Sequence, residues 1–385
     1  MYTNTTRMLA GYFSQNPFLF SLLAILAFAV LVQLVYFWGL FSRAAFFRPK
    51  NDFSRKDEPV SVILCARNEY TNLSANLPFL LNQDYSDFEV VVVDHGSDDD
   101  SNYLLADLQL EYRNLKVVTI GEDLNFFTGK KFPLSIGIKS ASNDLLLLTD
   151  ADCIPRSNQW LRKMASNFTF GTEIVLGYGG YEQGKSLLNR LIRFDTLRVA
   201  LQYFGLALAG MPYMGVGRNI AYRKSLFYRQ NGFISHYRIQ TGDDDLFVNR
   251  AANRKNTRIE MRPDSHTLSA PKKNFSLWFR QKRRHLQSGN YYKGWHKLVL
   301  ALFGLTQFLF YATFITLLSF WYLPYIVLGM VALRLFSQLF ILGKMMRKLS
   351  EKGFLLLIPF FEIFLLLIHP LIATANLFKK PVKWR

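Results

Sequence analysis

The stretch Leu145-Leu146-Leu147-Leu148-Thr149-Asp150-Ala151-Asp152 decides the fold. So short an apolar run, closed by acids, fits a strand buried on both faces that ends at a rim. Alternate residues past the strand then project two carboxylates, Asp150 and Asp152, into that rim. Four other runs have the same character: Val60–Cys65, Phe88–Val93, Lys116–Ile120 and Ile174–Tyr178. Between them lie the helix-like segments Glu69–Asn82, Ser101–Arg113 and Phe132–Ser142. Buried strands alternating with crossover helices predict a parallel α/β sheet, right-handed at each crossover. Ligands of such sheets sit outside the carboxyl ends of the strands. Asn68-Glu69, Asp94 and Asp150-Ala151-Asp152 all fall at those ends.

Hydrophobic segments flank this block. Pro17 to Phe41 carries no charge, and about 20 apolar residues suffice to cross a bilayer. Its flanks do not suit a signal peptide, so the reading is a retained anchor over 17–42 behind a short tail, 1–16. The basic residues Arg43, Arg48 and Lys50 that follow put the next block, 57–270, in the cytoplasm of a cell whose inner membrane holds the anchor. Leu298–Trp321 and Leu323–Leu342 are two further spans. Phe354–Phe378 is a third, interrupted by Pro359, Glu362, His369 and Pro370. Four full crossings would leave the basic stretch Lys379–Arg385 outside, against the charge rule. Either the last segment of the 298–378 region is kinked or re-entrant, or the rule fails here.

The chain of 385 residues is half hydrophobic, carries 35 Phe, and has 46 basic against 28 acidic residues. This is too apolar for an average soluble protein. Much of the basic excess sits beside the apolar runs, which favours membrane lipids over nucleic acid as the partner. Only two cysteines occur, Cys65 and Cys153. They supply no disulfide framework and fit a reducing compartment.

Several residues suit chemistry. The pair Asp150 and Asp152 can hold Mg²⁺ or Mn²⁺, which keep waters and bridge substrate phosphates; an acidic loop at a strand end would look the same. Asp94 opens Asp94-His95-Gly96-Ser97, where a carboxylate suits a base or ribose, although Asp, Gly and Ser also simply favour turns. Lys130, in Gly129-Lys130-Lys131 before a helix, suits a phosphate oxygen or plain solvation. Thr241-Gly242-Asp243-Asp244-Asp245 offers more acids than capping the next helix requires. A surplus carboxylate there suits a general base. Phe275–Gln287, within 273–295, is an amphipathic helix. Phe275, Phe279 and Leu286 form one stripe and Gln281, Arg284 and His285 another. The first stripe suits the bilayer interface; the second suits a diphosphate.

Together these stretches resemble the membrane-embedded family 2 glycosyltransferases, which include cellulose, hyaluronan and chitin synthases and ceramide glucosyltransferase. The resemblance runs from Val60 to His285: Val62–Glu69, Asp94–Ser97, Gly129-Lys130, Thr149–Asp152, Gly215–Asn219, Gly242–Asp244 and Gln281–His285, in order. It implies a GT-A fold and inverting, direct-displacement transfer from a nucleotide sugar, UDP-linked by analogy with the family. It further implies that Asp94, Glu69, Lys130 and Asp150 bind the nucleotide sugar, that Asp152 with Asp150 holds the metal, and that Asp244 is the catalytic base. Gln281 and Arg284 would hold the diphosphate. Gly217, Asn219, Asp243 and His285 would lie near the donor sugar and acceptor. The family pattern Gln-x-x-Arg-Trp ends here in His285, and few spans follow. The expectation is therefore transfer of one or a few sugars to a lipid-linked or other membrane-borne glycan acceptor. A processive polysaccharide synthase is the enzymatic alternative, and a non-catalytic scaffold the alternative from another class.

Overall fold

The computed structural model describes residues 16–49, 58–121, 129–239 and 241–378. Arg7, Lys50, Asp57 and the Lys379–Arg385 stretch lie outside the described residues. Helix α1 (Pro17–Leu34) continues through a π-helical turn over Val35–Phe41 and a final turn at Ser42–Ala45. Next come β1 (Val60–Ala66), α2 (Tyr70–Leu81), β2 (Phe88–His95), α3 (Ser101–Glu111), β3 (Leu115–Ile120), α4 (Lys131–Ser140) and β4 (Leu145–Leu148). Shorter elements follow: β5 (Cys153–Pro155), α5 (Trp160–Ala165), β6 (Ile174–Leu176) and β7 (Gly179–Tyr181), before the long α6 (Leu187–Leu208). The block closes with β8 (Ile220–Arg223), α7 (Lys224–Arg229), α8 (Asp245–Ala251), β9 (Thr257–Ile259) and β10 (Thr267–Ser269). Four helices complete the chain: α9 (Phe275–Ser288), α10 (Gly294–Ser319), α11 (Pro324–Lys348) and α12 (Ile358–Phe378).

The main sheet has the order β3-β2-β1-β4-β8-β6-β9, beside a small sheet β5-β10-β7. Its first four strands are parallel, as the alternation of strand and helix predicts. The sheet as a whole is mixed, because β8 runs antiparallel to both β4 and β6. This corrects the all-parallel expectation. The chain reaches β8 from the far side, after α6, rather than through a βαβ crossover. The strand order reverses between β1 and β4, so a crevice opens at their carboxyl ends. Glu69 follows β1 and Asp150 follows β4, which places both acids at this switch point.

Side chains alternate across the strands and so divide the core. Val62, Leu64, Val90 and Val92 pack with Leu73, Leu77 and Trp160 of the helices on one face. Ile63, Cys65, Val91 and Val93 pack on the other face with Leu134 and Ile138 of α4. Gly137 makes that approach possible, since a Cβ there would lie 2.8 Å from methyls of Ile63 and Val93. This second layer does not stop at the sheet. It continues through α6 to Phe303, Ile341, Met345 and Phe361 of α10, α11 and α12. The α/β block is thus packed directly on the long apolar helices. Arg193 of α6 adds a buried ion pair with Glu351, whose carboxylate also accepts from the Tyr178 hydroxyl.

Among the described residues, four helical stretches are long and apolar enough to cross a membrane: Pro17–Ala45, Gly294–Ser319, Pro324–Lys348 and Leu355–Asn376. The last contains α12, which runs as one helix with Pro370 inside it. Where α1, α10, α11 and α12 meet, Glu362 accepts from both terminal nitrogens of Arg334 at 2.8 Å, from Gln338, from Gln307 and from the Tyr311 hydroxyl. Gln33 of α1 takes a further Arg334 hydrogen bond at 3.1 Å. Inside a membrane such a charge persists only when paired and fully hydrogen-bonded.

Helix α9 starts where Asn274 caps it, its side-chain oxygen accepting from Leu277 N–H at 3.0 Å. Its apolar edge rests partly on α12, with the Phe275 and Phe364 rings 6.1 Å apart. Phe279 is half-buried while Phe275 and Leu286 are exposed, so the stripe read from the sequence is divided between protein and surroundings.

Candidate active site

A cavity of about 690 Å³ opens at the switch point. Its walls include Glu69, Lys130, Asp150, Asp152, Gly217, Asp243, Asp244, Gln281, Arg284 and His285, so ten of the expected site residues share one space. Asp94 and Asn219 do not line it.

The acids arrive from different strands. Past β4 the chain turns, with Cys153 N–H bonded to Asp150 C=O at 3.1 Å, and Asp150 and Asp152 face the cavity. Lys130 forms an ion pair with Asp150 and sits 3.8 Å from Asp243. Burial by itself would push the Asp150 carboxyl up, but the Lys130 charge and hydrogen bond leave it below its usual range. Asp152 has no such cation bonded to it. Burial and the neighbouring Asp150 charge push its pKa up. Lys130 lines the cavity and ties the two acidic loops together.

Asp244 stands between two further acids of its own loop. Its two oxygens accept from Gly217 N–H at 2.6 Å and from Asp245 N–H at 2.7 Å. Burial, then the charges of Asp243 and Asp245, push its pKa up to about 8. Glycine at 217 eases this contact, because a Cβ there would meet Asp244 Oδ2 at 3.2 Å and press it aside. Asp245 points the other way and accepts from the Tyr292 hydroxyl at 2.7 Å and from the Ser288 hydroxyl. Lys131 is committed to structure. Its ammonium donates to the carbonyls of His236, Ile239 and Thr241 at 2.6–2.7 Å, which fixes the loop that presents Asp243 and Asp244.

Gln281 and Arg284 come from α9 on the facing wall. The Gln281 amide donates to the Tyr181 hydroxyl at 3.2 Å. Arg284 lines the cavity and makes no hydrogen bond or ion pair among the described residues. His285 faces the same space. Crowding by protein, then the Lys282 and Arg284 charges, lowers its pKa to about 3, so its imidazole is neutral at physiological pH.

Two expectations change. Asn219 is fully buried and its amide is saturated. It accepts from Trp160 Nε1 at 3.0 Å and donates to the carbonyls of Tyr178 at 2.9 Å and Ser265 at 2.7 Å. Asn219 therefore braces the wall rather than meeting donor or acceptor. Asp94 is also fully buried. Its Oδ1 accepts from the Ser97 hydroxyl, which in turn accepts from Asn68 N–H at 2.9 Å; Oδ2 has no partner among the described residues. Asn68 adopts φ 55°. Asp94 thereby fixes the turn that delivers Glu69 to the cavity.

Sequence reasoning missed Arg218. Its guanidinium donates to the carbonyls of Gly179 at 2.8 Å and Gly180 at 3.1 Å, lies 4.3 Å from the Tyr181 ring and faces the acids. The signal was an arginine inside Gly217-Arg218-Asn219, overshadowed by its neighbours.

The carboxylates of Asp150 and Asp152 fit a hard divalent cation. With Cys153 they make the metal-binding group found among the described residues, donor atoms within 4.8 Å of one another. Cys153 is a poor member: burial and the nearby acids raise its thiol pKa, and its sulfur lies 3.1 Å from Ser269 Oγ. Neutral thiols do not suit Mg²⁺ or Mn²⁺.

A switch-point cavity with paired acids, a third buried carboxylate and a facing arginine, set in a mixed α/β sheet, matches the GT-A type of glycosyltransferase fold. Residues 61–230 match the family model Glycosyl transferase family 2. Glycosyltransferase AglE of Haloferax volcanii is 29% identical over 178 residues, 45% of this chain and 53% of that protein. An uncharacterized glycosyltransferase of Haemophilus influenzae is 27% identical over 28% of this chain and 32% of its own length. The chain thus spans about half, or less, of the curated relatives it matches. The fold resembles that of the mannosyltransferase PcManGT from Pyrobaculum calidifontis, solved with GDP-Man and Mn2+. The TM-score is 0.56 at 19% identity, covering 85% of this chain and 96% of that one.

Proposed function

We propose that the protein is an inverting, metal-dependent membrane glycosyltransferase, moving a sugar from a nucleoside diphosphate donor to a hydroxyl of a membrane-borne acceptor. The observation that carries this reading is the placement of Asp244, a carboxylate of raised proton affinity, in one cavity with Asp150, Asp152 and the uncommitted Arg284.

The acceptor hydroxyl gives its proton to Asp244 while its oxygen bonds to the anomeric carbon from the face opposite the leaving group. The bond from that carbon to the diphosphate oxygen breaks, and its electron pair leaves with the diphosphate. Arg284 and Gln281 stabilise that developing charge from α9. Mg²⁺ or Mn²⁺, held by Asp152 and the oxygen of Asp150 not engaged by Lys130, would supply further charge neutralisation to the diphosphate when bound. Glu69 lines the donor side. His285, neutral, offers a hydrogen bond or an aromatic face to the acceptor. The catalytic side faces the cytoplasm, where nucleotide sugars are made and where Arg43 and Arg48 follow the first span.

The test is transfer from a radiolabelled UDP-sugar panel to total membrane lipid extract, with product mass and anomeric configuration determined. One or a few sugars in inverted linkage, made only with Mg²⁺ or Mn²⁺ present, is the expected result. Long polymer would favour a processive synthase, and retained configuration would exclude direct displacement.

A further inference from the structure

We propose that the acceptor is an amphiphile whose polar end carries a phosphate, and that this phosphate binds in the part of the cavity walled by α6, α9, α10 and α12. The inference rests on the glycosyl-transfer reading and specifies its acceptor.

The cavity is divided by charge. The acids gather where β1, β4 and α8 end. The opposite part is lined by Arg198, Lys282 and Lys297, with Asp195 and, bonded to Ser288 of α9 and to Tyr292, Asp245 at its border. Asp195 is buried and already held by Lys282 and, at 3.3 Å, by Arg198. Those cations, after offsetting burial, hold its carboxyl below the usual carboxylate range. Two carboxylates against three cations leave this lobe positive before Arg284 is counted. A neutral sugar cannot answer that charge; a phosphate can.

Unmet donors point the same way. Arg198 Nε and Trp278 Nε1 are buried without a hydrogen-bond partner among the described residues, and both residues line the cavity. Trp278 is only 1% exposed. Both groups can only donate, so they ask for a ligand rich in acceptors. Phosphate oxygens are such acceptors.

The remaining wall specifies the rest of the molecule. Ile192, Val199 and Leu300 are apolar, and Leu300 and Lys297 belong to α10, one of the four candidate spans. A lobe bordered by membrane helices, with cations near its polar part, fits a hydrocarbon chain ending in phosphate. A free phosphate would use the cations and leave the apolar wall unexplained.

The experiment uses the full chain in detergent and follows tryptophan fluorescence during titration with dodecyl phosphate, dodecanol or inorganic phosphate. A parallel uridine diphosphate titration reports the donor site. Dodecyl phosphate should bind at least tenfold more tightly than either other probe. Arg198→Gln, or Lys297→Gln should the first variant melt early, should weaken dodecyl phosphate at least tenfold and dodecanol little. Equal binding of dodecanol, equal binding of inorganic phosphate, or no effect of either variant would overturn the proposal. Uridine diphosphate binding in those same samples would confine that failure to the acceptor inference, whereas its absence would strike the transferase reading itself.

Discussion

Two buried carboxylates in this molecule are treated in opposite ways. Glu362, among the membrane helices, receives hydrogen bonds from Arg334, Gln338, Gln307 and Tyr311. Asp244 receives two backbone N–H groups and stands between Asp243 and Asp245, with its pKa pushed up to about 8. The first is a saturated charge that fastens helices together. The second is an under-satisfied one with a proton affinity suited to taking a proton and giving it back. Burial alone therefore does not separate structure from chemistry; the supply of donors does.

Mutations should separate the two in the same terms. Arg334→Ala leaves Glu362 without its cation and should destabilise the membrane helices by about 3–5 kcal/mol. Thermal unfolding in detergent would show it, while any protein that remains folded keeps its nucleotide affinity. Asp152→Ala should do the reverse, leaving the melting temperature nearly unchanged and weakening Mn²⁺-dependent nucleotide binding; a titration of Mn²⁺ against nucleotide affinity checks this.

The comparison sharpens with pH. Asp244 must be ionised to act as a base, so kcat/KM should fall as pH drops through about 8 in the free enzyme. The Asp243 charge contributes to that position, so Asp243→Asn should move the limb to lower pH. The same group has a stability signature. Its ordinary pKa is about 4, so the folded state holds a proton that the unfolded state releases. The stabilisation is complete below about pH 4 and is lost as pH rises to about 8. The smallest effect expected is that of Gly217→Ala. The added methyl presses on Asp244 at 3.2 Å, and turnover should fall several-fold, roughly 1 kcal/mol of barrier, with donor affinity unchanged.

The parallel half of the sheet was legible because unbroken apolar runs such as Val90–Val93 and Leu145–Leu148 can only be strands buried on both faces. Its mixed half was not. Ile174–Tyr178 reads as a strand and is one over Ile174–Leu176, but Ile220–Arg223 and Thr257–Ile259 are too short for periodicity to distinguish, and β8 pairs in a direction no local pattern records. Asp150, Asp152, Asp244 and Arg284 could be placed in one site because strand ends and a helix face fix where they point. Asn219 and Asp94 sit in motifs just as suggestive, yet the first is spent on Trp160, Tyr178 and Ser265 and the second is buried with one oxygen on Ser97 and lies outside the cavity lining. Whether a polar side chain faces a ligand or a neighbour depends on tertiary hydrogen bonds, and no spacing encodes those. Arg218 and the Asp195 cluster escaped for the same reason. The knot at Arg334 was half visible: Glu362 stood out as an acid in an apolar segment, while its partners come from distant helices.

Asp244→Asn tests the central claim most directly. The substitution keeps the shape and can still accept from Gly217 N–H, but removes the base. In purified full-length protein with a saturating nucleotide sugar and acceptor, turnover should fall about 10²–10⁴-fold while donor affinity and melting temperature stay near those of the parent. Near-parental turnover would contradict the account, because the cavity would then hold its donor without needing the one carboxylate placed to deprotonate the acceptor.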